Sequence, residues 1–108
     1  MTNTQQKNYF QEKLPLIVEA LKKNYKPQKI ILFGSMLNPK APSNDIDLFL
    51  IKNTSLKRLG DRAEEEEKYI PFKNIPIDLI VYTPDEVKEF RYDSVLLHEI
   101  YKGKVLYG

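Results

Sequence analysis

The stretch that decides the fold of this protein is ILFGSMLNPKAPSNDIDLFLI, residues 31–51. Two hydrophobic runs, typical of buried strands, enclose a loop that contains Pro, Ser and Asn. Gly34 and Ser35 follow the first run, and Asp45 and Asp47 open the second. An ionised carboxylate is costly to bury alone, so the two aspartates call for a compensating cation near the mouth of the second strand.

The composition is that of one globular domain without thiol chemistry. With 108 residues the chain can build a single core, and we predict one domain over residues 1–108. The absence of cysteine excludes disulfides, thiolate metal sites and a cysteine nucleophile. The N-terminal residues are polar and no stretch approaches the roughly 18 apolar residues of a membrane span, so a cytoplasmic protein with no membrane contact is expected. The net charge is only +2, and the tyrosines lack a base-stacking pattern, so direct nucleic-acid binding is not expected.

The hydrophobic pattern predicts elements in the order α-β-turn-β-α-β-α-α-β. A first helix carries apolar residues from Phe10 to Leu21 and ends near Asn24, and Pro15 either opens its stable part or kinks it. The first two strands are joined by a loop too short for a helical crossover, so we expect them to pair antiparallel, with the second strand central. The predicted fold is therefore of the α/β (α+β) class, a small mixed sheet with flanking helices.

Two later segments add expectations about charge and capping. Residues 55–69 are predicted to form a polar helix with a weak apolar stripe that includes Leu59 and Tyr69, and its acidic run at residues 64–67 is expected to face solvent. Residues 83–86 read Thr-Pro-Asp-Glu, a capping box that starts a helix.

Three aspartates point to a metal site. Asp45 and Asp47 lie on one side of their strand, roughly 7 Å apart at Cα, because side chains in a strand alternate between faces. Alone, the pair is better explained as loop-end residues, since Asp is common in turns. Asp78 changes this balance because it lies between Ile77 and Leu79 in the third strand, where an unpaired carboxylate would be expensive. Magnesium prefers such oxygen ligands, so the three acids indicate a Mg²⁺ site.

The Gly34-Ser35 pair indicates a phosphate site beside these acids. Glycine lets the backbone approach a ligand closely, and Ser35 offers its hydroxyl and backbone N–H groups to an anion. Taken alone, the pair could also be a glycine that ends the strand followed by a serine that caps a helical turn, with no role in phosphate binding. Only nine residues separate Ser35 from Asp45, which favours a triphosphate and a metal side by side.

These motifs resemble the minimal nucleotidyltransferases of the DNA polymerase beta superfamily. The family signature is an apolar residue with Gly-Ser, a loop, Asp-apolar-Asp-apolar, and a later apolar-Asp-apolar strand. The sequence reads Phe33-Gly34-Ser35, Asp45-Ile46-Asp47-Leu48 and Ile77-Asp78-Leu79 at these places. The resemblance implies the polymerase beta-like nucleotidyltransferase fold and transfer of a nucleoside monophosphate, AMP from ATP or the equivalent from another NTP, to a hydroxyl with release of pyrophosphate.

The same resemblance implies a role for each residue. Asp45, Asp47 and Asp78 would be the catalytic and metal-binding residues for two Mg²⁺ ions, with Asp78 beside the acceptor hydroxyl. Gly34 and Ser35 would bind the β- and γ-phosphates. Small members of the family often act beside a HEPN-domain ribonuclease toxin, so the resemblance suggests an antitoxin that nucleotidylates this partner.

Departures from the family pattern keep two other functions open. Many relatives carry arginines after Gly-Ser, whereas this chain has Met-Leu-Asn-Pro, with Lys40 or Lys52 as substitutes, and Asn44 stands where a Ser usually precedes the first Asp. A degenerate member could neutralise its partner by contact alone. A small-molecule nucleotidyltransferase of the aminoglycoside type, in which a homodimer builds the acceptor cleft, is the other alternative.

Overall fold

Helices and strands follow one another in the predicted order. The computed structural model describes residues 2–90 and 93–108. The helices are α1 (Asn3–Ala20), α2 (Leu59–Glu67), α3 (Pro84–Phe90) and α4 (Val95–Ile100). The strands are β1 (Lys29–Phe33), β2 (Ile46–Ile51), β3 (Ile77–Tyr82) and β4 (Lys104–Tyr107). A π-helical turn, Leu21–Tyr25, extends α1, and a 3-10 turn, Gly34–Leu37, follows β1.

The four strands form one mixed sheet in the order β3-β2-β1-β4. β1 pairs antiparallel with β2 and with β4, whereas β2 pairs parallel with β3. A loop without a helical crossover joins β1 to β2, and α2 lies in the longer connection that lets β3 run parallel to β2. The sheet and its flanking helices confirm the predicted fold, including the inner position of β2.

Separate hydrophobic clusters cover the two faces of the sheet. One cluster packs alternate residues of β1 and β2 against α1. The other packs Ile31 and Phe49 against α3 and α4. Because strand side chains alternate, Asp47 shares the face of Phe49 and Asp78 shares the face of Ile80. Both aspartates therefore lie on the α3–α4 side of the sheet.

The first helix begins earlier than its apolar stripe indicates. Thr2 caps it, since the Gln5 backbone N donates to Thr2 Oγ1 at 3.1 Å and the Thr2 backbone N donates to Gln5 Oε1 at 2.8 Å. Pro15 lies inside α1, so it does not open the helix. The π-helical turn ends at Tyr25, close to the predicted end.

The acidic helix α2 corrects two expectations. It is shorter than predicted, and the stripe residues Leu59 and Tyr69 are 45% and 37% exposed. Its buried face is formed instead by Arg62 and Glu66, which are one helical turn apart, so the acidic run is not wholly solvated. Burial raises the pKa of the Glu66 carboxyl to about 8, and a neutral acid at pH 7 is far cheaper to enclose than a carboxylate.

The buried arginine of α2 is fully engaged. Arg62 donates to the Leu56 and Val81 carbonyls at 2.7 and 3.0 Å and forms a bidentate pair with Glu86 at 2.6 and 3.2 Å. Glu86 also closes the predicted capping box, because the Thr83 backbone N donates to Glu86 Oε1 at 2.8 Å and the Glu86 backbone N donates to Thr83 Oγ1 at 3.2 Å. These bonds join α2, β3 and α3. None of the helices described has the length and apolar character to span a bilayer.

Candidate active site

Three aspartates from two parallel strands meet at one end of the sheet. Asp47 and Asp78 are directly paired in the parallel register of β2 and β3, so their side chains point to the same face. Asp45 comes just before β2. One carboxylate oxygen from each of the three residues lies within 4.8 Å of the others. The structure thus brings together all three residues that the sequence singled out.

The site concentrates negative charge. Partial burial of Asp47, reinforced by the neighbouring charges of Asp45 and Asp78, raises the pKa of its carboxyl from 3.8 to about 6. Among residues 2–90 and 93–108, none of the three carboxylates forms a salt bridge. Three hard oxygen donors without a cationic partner are the donor set that Mg²⁺ accepts, so these residues suit a divalent ion.

The environment of Asp78 differs from the expectation. Its side chain is exposed, not enclosed between hydrophobic neighbours. The reason is topological, since β3 is an edge strand of the sheet and Asp78 lies near its start. The carboxylate therefore faces solvent on the open side of the site, where a large molecule could reach it.

Two structural constraints favour glycine at position 34: its backbone conformation and its contact with Asp47. Its backbone has a φ of +79°, a conformation that disfavours residues with a Cβ. A Cβ placed on Gly34 would overlap Asp47 Oδ2 and lie 3.0 Å from Asp47 Cγ. The absence of a side chain at Gly34 therefore leaves the space that the Asp47 carboxylate occupies.

Ser35 is the second residue of the 3-10 turn that begins at Gly34, and two hydrogen bonds to its carbonyl fix its position. The Ser35 carbonyl accepts hydrogen bonds from the Asn38 backbone N at 3.1 Å and from Lys7 Nζ at 3.3 Å. Gly34, which packs against Asp47, is the first residue of this turn, so Ser35 and the three carboxylates belong to one region of the molecule.

The expected cationic substitutes behave differently from one another. Lys52 lies beyond the opposite end of β2, where its Nζ donates to the Tyr25 carbonyl and sits 4.4 Å from the centre of the Tyr25 ring. The expectation that it serves the phosphate side is therefore wrong, because it would have to leave these contacts and cross the length of the strand. Lys40 is exposed in the loop, and its backbone N donates to Asn38 Oδ1 at 3.0 Å.

Sequence reasoning missed two lysines near the site. Lys7 is buried under the loop that carries Ser35. The available signal was its position three residues before Phe10, which continues the apolar stripe of α1. Lys73 lines a cleft of about 450 Å³ together with Asp45 and Asp78, and nothing in its local sequence singles it out.

The comparisons with known proteins agree with this geometry. Residues 16–108 match the sequence model of the family described as Polymerase beta, Nucleotidyltransferase. The chain belongs to this nucleotidyltransferase family. Asp45, Asp47, Asp78, Gly34 and Ser35 all lie inside the nucleotidyltransferase match, whereas Lys7 lies outside it.

A solved structure is similar to this nucleotidyltransferase domain in fold. It is a crystal structure from Sulfolobus solfataricus, described provisionally as a nucleotidyltransferase, with 21% sequence identity and a TM-score of 0.57. The similarity covers 96% of this chain and 93% of the other. At this level of identity the comparison supports the fold alone. No curated protein sequence is a significant match.

Proposed function

We propose that this protein is a magnesium-dependent nucleotidyltransferase that transfers a nucleoside monophosphate, AMP from ATP, to a hydroxyl of an acceptor. The observation that carries the proposal is the convergence of Asp45, Asp47 and Asp78 within 4.8 Å, next to the Gly34 turn, in a chain of the nucleotidyltransferase family. The accumulated negative charge supports cation binding because no residue described neutralises it.

In the proposed reaction the acceptor oxygen forms a bond to the α-phosphorus of the nucleotide. The bond between that phosphorus and the bridging oxygen to the β-phosphate breaks, and pyrophosphate leaves with the electron pair. Asp45 and Asp47 would hold the two ions, and the Ser35 turn would receive the β- and γ-phosphates. The chemistry that bound Mg²⁺ supplies is a lowered pKa of the attacking hydroxyl and neutralisation of the leaving group. Asp78, the exposed member of the three, completes the ion site and accepts the hydroxyl proton.

The acceptor that we propose is a side-chain hydroxyl on a HEPN-type toxin, with this protein acting as its antitoxin. Two features support a macromolecular acceptor: Asp78 is exposed, and the cleft of about 450 Å³ beside it reaches the surface along residues 73–77. A hydroxyl presented on another protein can approach such an open site without being enclosed. The toxin itself is suggested by the resemblance of the motifs.

The position of the radioactive label tests the proposed reaction. The protein is incubated with Mg²⁺, its co-purified partner and ATP labelled at either the α- or the γ-phosphate. We expect label from the α-phosphate on the partner, none from the γ-phosphate, and release of one pyrophosphate for each transfer. Asp47→Asn should abolish labelling, whereas Asp61→Asn, an exposed acid on α2, makes the same charge change and should leave it intact.

Four other results would contradict the proposal in different ways. Transfer of the γ-label would indicate a kinase. A partner that is bound and inhibited but stays unlabelled with all four NTPs would show neutralisation by contact. Label that persists in Asp47→Asn would refute the ion site, and label found on an aminoglycoside in place of a protein would assign a small-molecule acceptor.

A further inference from the structure

Two consecutive residues of α1, Gln6 and Lys7, donate side-chain hydrogen bonds to the loop between Ser35 and Asp45. Lys7 Nζ donates to the carbonyls of Ser35 at 3.3 Å, of Ala41 at 2.7 Å and of Asn38. Gln6 Nε2 donates to the Ser43 carbonyl at 2.6 Å. Four backbone carbonyls of a loop whose own structure is a 3-10 turn and one further turn, Asn38 to Ala41, are thus fixed by side chains from a distant part of the chain.

The environment of Lys7 is unusual for a lysine. The residue is only 8% exposed, and a charged ammonium is rarely buried unless its hydrogen bonds are satisfied. An ammonium group has three N–H donors, and here three carbonyls receive them. Among the residues described, no carboxylate pairs with Lys7, so its positive charge is not cancelled locally.

The charge acts on the part of the loop that is assigned to the phosphates. The carbonyl of Ser35 points to Lys7. Because a trans peptide group is planar, the Met36 N–H of the same peptide points away from Lys7. Hydrogen bonding to a cation polarises the peptide and makes that N–H a stronger donor. Lys40 carries an exposed charge in the same loop, whereas the charge of Lys7 is buried against the loop carbonyls.

We infer that Lys7 is a positioning residue for nucleotide binding, which holds the Ser35 loop in its triphosphate-binding conformation and places a buried positive charge against the Ser35 carbonyl. The inference rests on the proposed function, because it assigns the loop to a nucleotide. It also adds a residue outside the matched part of the family, residues 16–108. Lys7 does not contact the reacting atoms, so it acts through the loop.

The test compares Lys7→Met, Lys7→Arg and Lys23→Met with the wild type. Lys23 is exposed in the turn after α1, so Lys23→Met makes the same charge change away from the site. Mg·ATP affinity is measured by calorimetry well below each melting temperature, so that a loss of stability does not register as a loss of binding. Hydrogen exchange of the backbone amides of residues 35–43 is measured on the same samples without nucleotide.

We expect Lys7→Met to weaken Mg·ATP binding by about tenfold or more, the effect of losing a charge-assisted contact, and to speed amide exchange in the loop. Lys7→Arg should give an intermediate affinity, because it keeps the charge while its planar fork cannot match three convergent carbonyls. Lys23→Met should match the wild type. The affinity for Mn²⁺ without nucleotide should change little in any variant, since the carboxylates stay in place.

Two results would overturn the inference while leaving the proposed function standing. One is a folded Lys7→Met variant that binds Mg·ATP like the wild type, and the other is equal loss of affinity in Lys23→Met, which would indicate a general charge effect. If the wild type binds no NTP, the proposed function fails. The amide exchange then tests only whether Lys7 holds the loop. Faster exchange in Lys7→Met then supports its role in holding the loop, and unchanged exchange refutes it.

Discussion

Replacement of Gly34 by alanine should disturb both the backbone and the ion site. The φ of +79° at Gly34 costs an alanine about 1–2 kcal/mol, and the overlap of its Cβ with Asp47 Oδ2 forces that side chain off its rotamer for about another 1 kcal/mol. Alanine regains about 0.4–1 kcal/mol by making the unfolded chain less flexible. We therefore expect Gly34→Ala to lower the free energy of unfolding by about 1–3 kcal/mol.

The displaced carboxylate should also weaken the binding of a divalent ion. Urea unfolding followed by circular dichroism, with and without Mn²⁺, measures both effects on one sample. At an ion concentration 100 times the wild-type Kd, binding stabilises the wild type by about 2.7 kcal/mol, and a tenfold weaker site would give about 1.4 kcal/mol.

Gly60→Ala is the matched control for this variant. Gly60 lies in α2 with open space where a Cβ would go, so alanine there should stabilise the helix by up to about 1 kcal/mol and leave the Mn²⁺ effect unchanged. A Gly34→Ala variant with wild-type stability and a wild-type response to Mn²⁺ would refute the assigned packing of Gly34 against Asp47.

Two further predictions concern α2. Burial raises the pKa of the folded-state Glu66 carboxyl from 4.5 to about 8, so the wild type loses stability as pH rises between these values. Glu66→Gln should therefore leave the free energy of unfolding nearly unchanged near pH 4.5 but increase it at pH 8.5, by up to about 5 kcal/mol. A stability difference independent of pH in urea titrations would contradict the buried acid. Arg62→Met should cost about 3–5 kcal/mol, because the Leu56 and Val81 carbonyls lose their donor and Glu86 loses its ion pair. Lys22→Met, which breaks the surface pair with Glu19 at 3.1 Å, should cost under about 1 kcal/mol. Equal losses in thermal melts would show that burial does not govern these pairs.

The architecture of the site was predictable because it depends on local rules. The alternation of strand side chains places Asp45 and Asp47 on one side, and the predicted strand around Asp78 needs only to lie beside them to complete the group. The short β1–β2 loop fixes their antiparallel pairing. Residue spacing along the chain is sufficient for the first and last of these steps, whereas the pairing of β3 with β2 comes from the structure.

The features that sequence reasoning missed depend on contacts between distant segments. The exposure of Asp78 follows from β3 being at the edge of the sheet, which a strand pattern does not reveal. The burial of Lys7 requires three carbonyls from residues 28 to 34 positions away. Glu66 faces the core because the orientation of α2 is set by the bonds of Arg62 to Val81 and Glu86, whereas composition alone assigned its acidic run to solvent.

The central claim is that Asp45, Asp47 and Asp78 form one ion site that works together with a bound triphosphate. Titration of Mn²⁺ followed by electron paramagnetic resonance, with and without a non-hydrolysable ATP analogue, tests it most directly. We predict that the analogue tightens Mn²⁺ binding to the wild type and to Asp61→Asn, and that Asp47→Asn weakens binding by at least about tenfold under both conditions. Equal Mn²⁺ affinity in the wild type and Asp47→Asn, with no effect of the analogue on either, would contradict the claim.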